Sequence, residues 1–109
     1  MAHESIVNLT SDNFSEEAEN ASVPVVIDFW SEYCGPCKML SPVLDEVAEE
    51  IGETAKVTKV DVMSERDLGA KFGVTAVPTL VFMKDGEIKK TQTGIMGKDA
   101  IIGELQALA

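Results

Sequence analysis

The chain has 109 residues, is 45% hydrophobic, and carries a formal charge of −10 at pH 7 from 19 acidic and 9 basic residues. That length suits one domain with its own core, placed at 1–109, and the composition argues against intrinsic disorder. The acidity disfavours nucleic acid as a partner, no run approaches the ~20 apolar residues that cross a bilayer, and two cysteines are too few for a secreted disulfide framework.

The stretch Met1-Ala2-His3-Glu4-Ser5 carries an acid early and has no basic patch followed by a long apolar run. Secretory leaders carry both features, so a cytoplasmic location is expected. Residues 6–9 read as a short strand. Residues 10–13 offer helix caps, and Phe14 with Ala18 opens a short helix that closes before Val23-Pro24. Val25-Val26-Ile27-Asp28-Phe29-Trp30 is apolar at almost every position, as a strand covered on both faces must be. Cys37, Leu40, Leu44, Val47, Ala48 and Ile51 then recur at three- and four-residue steps and share one helix face. Pro42 lies inside that helix and should kink it, and Gly52 should stop it.

Residues 57–62 read as a third strand. Ser64 with Asp67 predicts a capped short helix through Phe72, terminated by Gly73. Residues 79–83, Asp85-Gly86 and residues 87–91 form a hairpin signal, since Asp-Gly tolerates the positive φ angles of a two-residue turn. Gly94 and Gly97 interrupt the chain, and Ile101, Ile102, Leu105 and Leu108 mark a last amphipathic helix. The order β-α-β-α-β-α-β-β-α predicts an α/β fold, a mixed sheet with helices on both faces.

The chemistry concentrates at Trp30-Ser31-Glu32-Tyr33-Cys34-Gly35-Pro36-Cys37-Lys38, between a buried strand and a helix start. Free N–H groups and a partial positive charge at a helix N-terminus favour a thiolate at Cys34. Gly35 lets the chain turn, and Pro36 suits the first helical turn because its missing N–H costs little there. Cys37 lies about one turn along, so its sulfur can close back on Cys34. Two other readings stand beside redox exchange. A structural zinc site needs about four ligands, and His3 is the only further candidate of the usual kind. An inert disulfide closing so short a loop would restrain the unfolded chain very little.

Asp28 is a carboxyl inside an apolar strand, where burial raises its pKa and lets it move protons near neutral pH. The alternative is a structural pair with a neighbour such as Lys59. Pro78 cannot donate to a ladder, so it belongs at the start of its strand.

Taken together, these residues resemble the thioredoxin family over nearly all of 6–108. The most specific piece is Cys34-Gly35-Pro36-Cys37-Lys38 preceded by Asp28-Phe29-Trp30. Pro42, Lys59, Val77-Pro78-Thr79, Asp85-Gly86 and Gly94 match further family landmarks in order. The resemblance implies a thioredoxin fold, a central five-stranded mixed sheet flanked by four α-helices, and a protein-disulfide reductase. It implies that Cys34 attacks a target disulfide and Cys37 resolves the mixed disulfide. Asp28 would assist deprotonation of Cys37, with Lys59 in support, and Gly35 and Pro36 would contribute to the redox potential. Pro78 would be cis. Docking would fall on Trp30, Tyr33, Gly35, Pro36, Ala76, Val77, Pro78 and Gly94.

The same resemblance implies a monomer that needs no cofactor or metal. Its partners would be disulfide-containing proteins and a thioredoxin reductase, with no nucleic acid and no membrane. Two positions depart from the family pattern. Tyr33 replaces the usual tryptophan before the first cysteine, which bears on partner preference. Met63 stands where an aspartate is common, with Ser64 expected to take over capping. An oxidant or isomerase is a competing enzyme reading, which Gly35-Pro36 disfavours. A binding module clamping a partner without redox turnover is a competing class.

Overall fold

The computed structural model describes residues 3–109, so the part of the leader reading that falls on Met1 and Ala2 lies outside it. The β-branched and aromatic runs become five strands: β1 (Val7–Asn8), β2 (Val25–Trp30), β3 (Lys56–Asp61), β4 (Thr79–Lys84) and β5 (Glu87–Thr93). Their order across the sheet is β1-β3-β2-β4-β5. β1 and β2 both run parallel to β3, while β4 is antiparallel to β2 and to β5. This places β2 at the centre, which accounts for its near-continuous apolar character.

Three α-helices are present, α1 (Gly35–Ile51), α2 (Arg66–Lys71) and α3 (Lys98–Ala107). The fourth helical segment is a five-residue π-helix, Ser15–Glu19, where an α-helix was expected. The turn leading into it is closed reciprocally: Thr10 Oγ1 accepts from the Asn13 N–H at 3.3 Å, and Asn13 Oδ1 accepts from the Thr10 N–H at 2.7 Å.

The sheet is covered on both faces. On one side α1 and α3 pack Leu40, Leu44, Val47, Ile101 and Leu105 against Val26, Val57, Leu80 and Phe82. On the other, Phe14, Ala18 and Leu68 pack against Val25, Ile27, Phe29 and Val81. Because side chains alternate along a strand, Val26 on the α1 face carries Asp28 onto that face as well, and Val57 likewise carries Lys59.

Several boundaries differ from the sequence reading. β1 holds only two residues, although the Leu9 N–H still donates to Lys59 O at 2.7 Å. β3 begins one residue early, at Lys56, whose ammonium is held by Glu17 O at 2.8 Å and Glu17 Oε1 at 3.0 Å. Gly52, at φ 55°, ends α1, and a 3-10 turn (Gly52–Thr54) follows. α1 continues through Pro42 as one helix.

The capping expected of Ser64 is not made. α2 has Glu65 at its N-cap with no side-chain cap, and the Ser64 hydroxyl donates instead to Asp61 Oδ2 at 3.3 Å. Asp61 Oδ1 takes the Met63 N–H at 2.9 Å, so Asp61 organises the turn that Ser64 was expected to cap. The hairpin turn is as expected, with Asp85 at φ 56° and Gly86 at φ 78°.

Candidate active site

β2 ends at Trp30, and four residues carry the chain from the end of this central strand to α1. Ser31 shapes this connection. Its hydroxyl accepts the Tyr33 N–H at 3.2 Å, and its carbonyl accepts the Cys34 N–H at 3.1 Å. Cys34 is thereby set at the N-cap of α1, in extended backbone, with Pro36 in the first turn. Cys34 and Cys37 are joined as a disulfide, their Cα atoms 5.3 Å apart. Cys34 Sγ accepts the backbone N–H of Cys37 at 3.1 Å and lies 3.6 Å from Val77 O. A sulfur that already receives a helix N-terminal N–H is one whose negative charge would be stabilised there.

Cys37 is 4% exposed and faces inward, onto a cavity of about 220 Å3. Asp28, Trp30, Lys38, Ser41 and Lys59 contribute to its walls. Asp28 is 1% exposed, and its Oδ1 has no hydrogen-bond partner. Burial pushes its pKa from the ordinary 3.8 up to about 7, with the Lys59 ammonium pulling the other way. A carboxyl in that range can exist in either protonation state at neutral pH.

Lys59 is the β3 register partner of Asp28. It makes no ion pair with Asp28 within 4 Å among the described residues; its ammonium donates to Ser41 Oγ at 2.8 Å. The structural Asp28–Lys59 pair weighed from the sequence is therefore not formed as a direct contact.

The Val77–Pro78 peptide bond is cis. It lies beside Cys34 through the Val77 carbonyl, and Gly94 is tied to the same loop by its N–H, which donates to Pro78 O at 2.8 Å. His3 is not brought to the cysteines. Its ring meets Glu49 Oε2 at 2.6 Å and its N–H donates to Asp45 Oδ1 at 2.8 Å, two to three turns along α1 from Cys37.

A redox-capable cysteine pair at a helix N-cap, backed by a buried carboxyl and flanked by a cis-proline loop, is one site built from three separate chain segments. The family model described as thioredoxin matches residues 5–107. The chain belongs to the thioredoxin family. It is 41% identical over 104 residues to a thioredoxin of Pseudomonas aeruginosa, covering 95% of this chain and 96% of that one. It is 43% identical over 96 residues to a thioredoxin of Bacillus subtilis, covering 88% and 90%. A thioredoxin of Haemophilus influenzae is 38% identical over 93 residues, covering 85% and 87%. As a thioredoxin-family protein it is a thiol-disulfide oxidoreductase that reduces protein disulfides, with Cys34 and Cys37 as its redox-active pair. Among the described residues, no helix is long and apolar enough to cross a membrane.

Of the residues expected to dock partners, Val77 meets Cys34 directly. Tyr33 is 82% exposed, Gly35, Pro36 and Ala76 are exposed, Trp30, Val77 and Gly94 are half-buried, and Pro78 is buried. Beside them runs a groove of about 460 Å3 to which Ser31, Met63, Arg66, Ala76 and Val77 contribute. Sequence reasoning missed two residues of this thioredoxin site, Ser31 and Ser41. Ser41 stands four residues after Cys37 and so shares its helix face, which was the one available signal.

Proposed function

We propose that this thioredoxin-family chain works through a two-step exchange in which Cys34 is the nucleophile, Cys37 the resolving thiol and Asp28 the proton acceptor for Cys37. In the reduced protein the Cys34 thiolate attacks one sulfur of a target disulfide. A Cys34–target disulfide forms and one target thiolate leaves. Cys37 passes its proton to the Asp28 carboxylate, and its thiolate attacks Cys34 Sγ. The Cys34–Cys37 disulfide closes and the second target thiolate leaves with both electrons accounted for. A thioredoxin reductase returns two electrons and two protons to reopen the pair.

The observation that carries this reading is the unpartnered Asp28 carboxyl in the cavity behind Cys37, with its affinity for a proton raised to near neutrality. Lys59 supports Asp28 by limiting that rise, since its positive charge favours the carboxylate. Gly35 and Pro36 tune the potential through the turn they impose between the sulfurs. Trp30, Tyr33, Ala76, Val77, Pro78 and Gly94 form the docking face, supported by their position around Cys34 and the adjoining groove. The protein acts as a monomeric single domain in the cytoplasm, consistent with its acidic surface and its pair of cysteines.

Turnover of a protein disulfide, coupled to a thioredoxin reductase, tests the reading. The parent should sustain turnover and the Cys34→Ser/Cys37→Ser variant should show none. A binding module would instead keep its biological function in the double variant despite the absence of turnover.

A further inference from the structure

The wall of the cavity opposite Asp28 is formed by α1, and it carries a residue that the exchange described above does not use. Ser41 follows Cys37 by four residues, so the two side chains share one helix face over the sheet. Its hydroxyl accepts the Lys59 ammonium at 2.8 Å. Lys59 and Asp28 are register partners on adjacent strands, both on the α1 face, and both line the same cavity. Side chains so placed ordinarily meet. Here the ammonium bonds to the helix, and Asp28 Oδ1 is left without a partner.

We propose that Ser41 is a positioning residue whose hydroxyl holds the Lys59 ammonium at the helix wall of the cavity and so limits how closely that charge approaches the Asp28 carboxyl beside Cys37. The proposal rests on the reading of Asp28 as the proton acceptor. Its physical basis is that the attraction between two opposite charges strengthens as they approach. The other groups that face Asp28 do not replace this control. Cys37 and Lys38 on α1 and Glu32 in the connection line the cavity, and Leu80, the register partner on β4, carries no charge. Without the serine hydroxyl, the ammonium loses a neutral acceptor; the carboxylates on its own sheet face are Asp28, its register partner, and Asp61, whose oxygens already accept from the Met63 N–H and the Ser64 hydroxyl. A closer cation favours the carboxylate and lowers the pH at which Asp28 takes up a proton.

The test is the titration of the Asp28 carboxyl carbon by NMR in reduced protein, for the parent, Ser41→Ala, Ser41→Thr, Lys59→Met and Ser41→Ala/Lys59→Met. Alanine suits a helix interior, so Ser41→Ala leaves the fold intact. Its midpoint should fall by about one pH unit. Ser41→Thr keeps a hydroxyl and should titrate as the parent does. In the Lys59→Met background, adding Ser41→Ala should move nothing, because Ser41 acts only through Lys59. An unchanged or raised midpoint in Ser41→Ala overturns the proposal, as does an equal shift with and without Lys59. The pH dependence of mixed-disulfide resolution separates this outcome from failure of the Asp28 reading. If the carboxyl midpoint moves and the kinetic midpoint does not, Ser41 positions Lys59 and Asp28 is not the proton acceptor.

Discussion

The backbone N–H of Cys37 donates to Sγ of Cys34 at 3.1 Å, inside the first turn of α1. The same contact that caps the helix would stabilise negative charge on Cys34 Sγ once the disulfide is reduced, whereas Cys37 lines the cavity that holds Asp28. In the reduced protein, Cys34 is therefore expected to be the reactive thiol and Cys37 the shielded one. Alkylation followed by peptide mapping should find label on Cys34 first. Early labelling of Cys37 would reverse the assignment.

Asp28→Asn keeps the shape of the side chain and removes the proposed proton acceptor. Stopped-flow kinetics with a model disulfide should show resolution slowed by roughly tenfold or more, with mixed-disulfide formation little changed. Equal rates for both steps in variant and parent would reduce Asp28 to a structural role.

The same group makes stability depend on pH. Its pKa is raised in the fold from 3.8 to about 7, so the folded state binds the proton more tightly than the unfolded chain. The stabilisation is fully present below 3.8 and is lost as pH rises through about 7, where the buried carboxyl must ionise. Asp28→Asn escapes this loss. Urea unfolding should show the variant gaining on the parent by up to a few kcal/mol between acid and mildly alkaline pH. A gap between the two that does not widen across this range would mean that Asp28 is not held as a buried acid.

Gly94 has φ of 100° and donates its N–H to Pro78 O at 2.8 Å. A Cβ there meets nothing within 4 Å, so the cost of Gly94→Ala is backbone strain alone. The expected loss is about 1–3 kcal/mol, read as a lower urea midpoint at unchanged slope. A midpoint equal to the parent's would show that the loop beside Pro78 relaxes freely.

Tyr33 directly precedes Cys34 and is 82% exposed, so its ring is open to a docking partner. Exchange rates depend on the two thiol pKa values and on access, and a neighbouring ring changes only access. Tyr33→Trp should alter reduction by a non-cognate thioredoxin reductase several-fold and leave the rate with a small aromatic disulfide nearly constant. Equal shifts in both assays would mean that Tyr33 acts on the thiol itself.

The legible parts of the fold are those set by periodicity. β2 was readable because the central strand is apolar on both faces, and Asp28 stood out as the one charge within it. α1 was readable from its repeating apolar face, and the hairpin from Asp85-Gly86. The π-helix was not readable, since Phe14 and Ala18 at a four-residue step suit an ordinary helix equally well. Lys56 lies outside the strand read at 57–62, because the Glu17 that meets its charge is distant in sequence. Ser64 was assigned a cap that depends on which carboxylate reaches it, and Asp61 does. The Ser41–Lys59 bond depends on how α1 is rotated above the sheet, which spacing alone does not specify.

Trapping of a mixed disulfide distinguishes an attacking Cys34 from a resolving Cys37. Reduced Cys37→Ser protein is mixed with a disulfide-containing protein, quenched in acid and analysed by intact mass and peptide mapping. Cys37→Ser should yield an adduct joined through Cys34, stable until dithiothreitol releases it, and Cys34→Ser should yield none. Absence of the adduct in Cys37→Ser, or equal trapping by Cys34→Ser through Cys37, would contradict these roles.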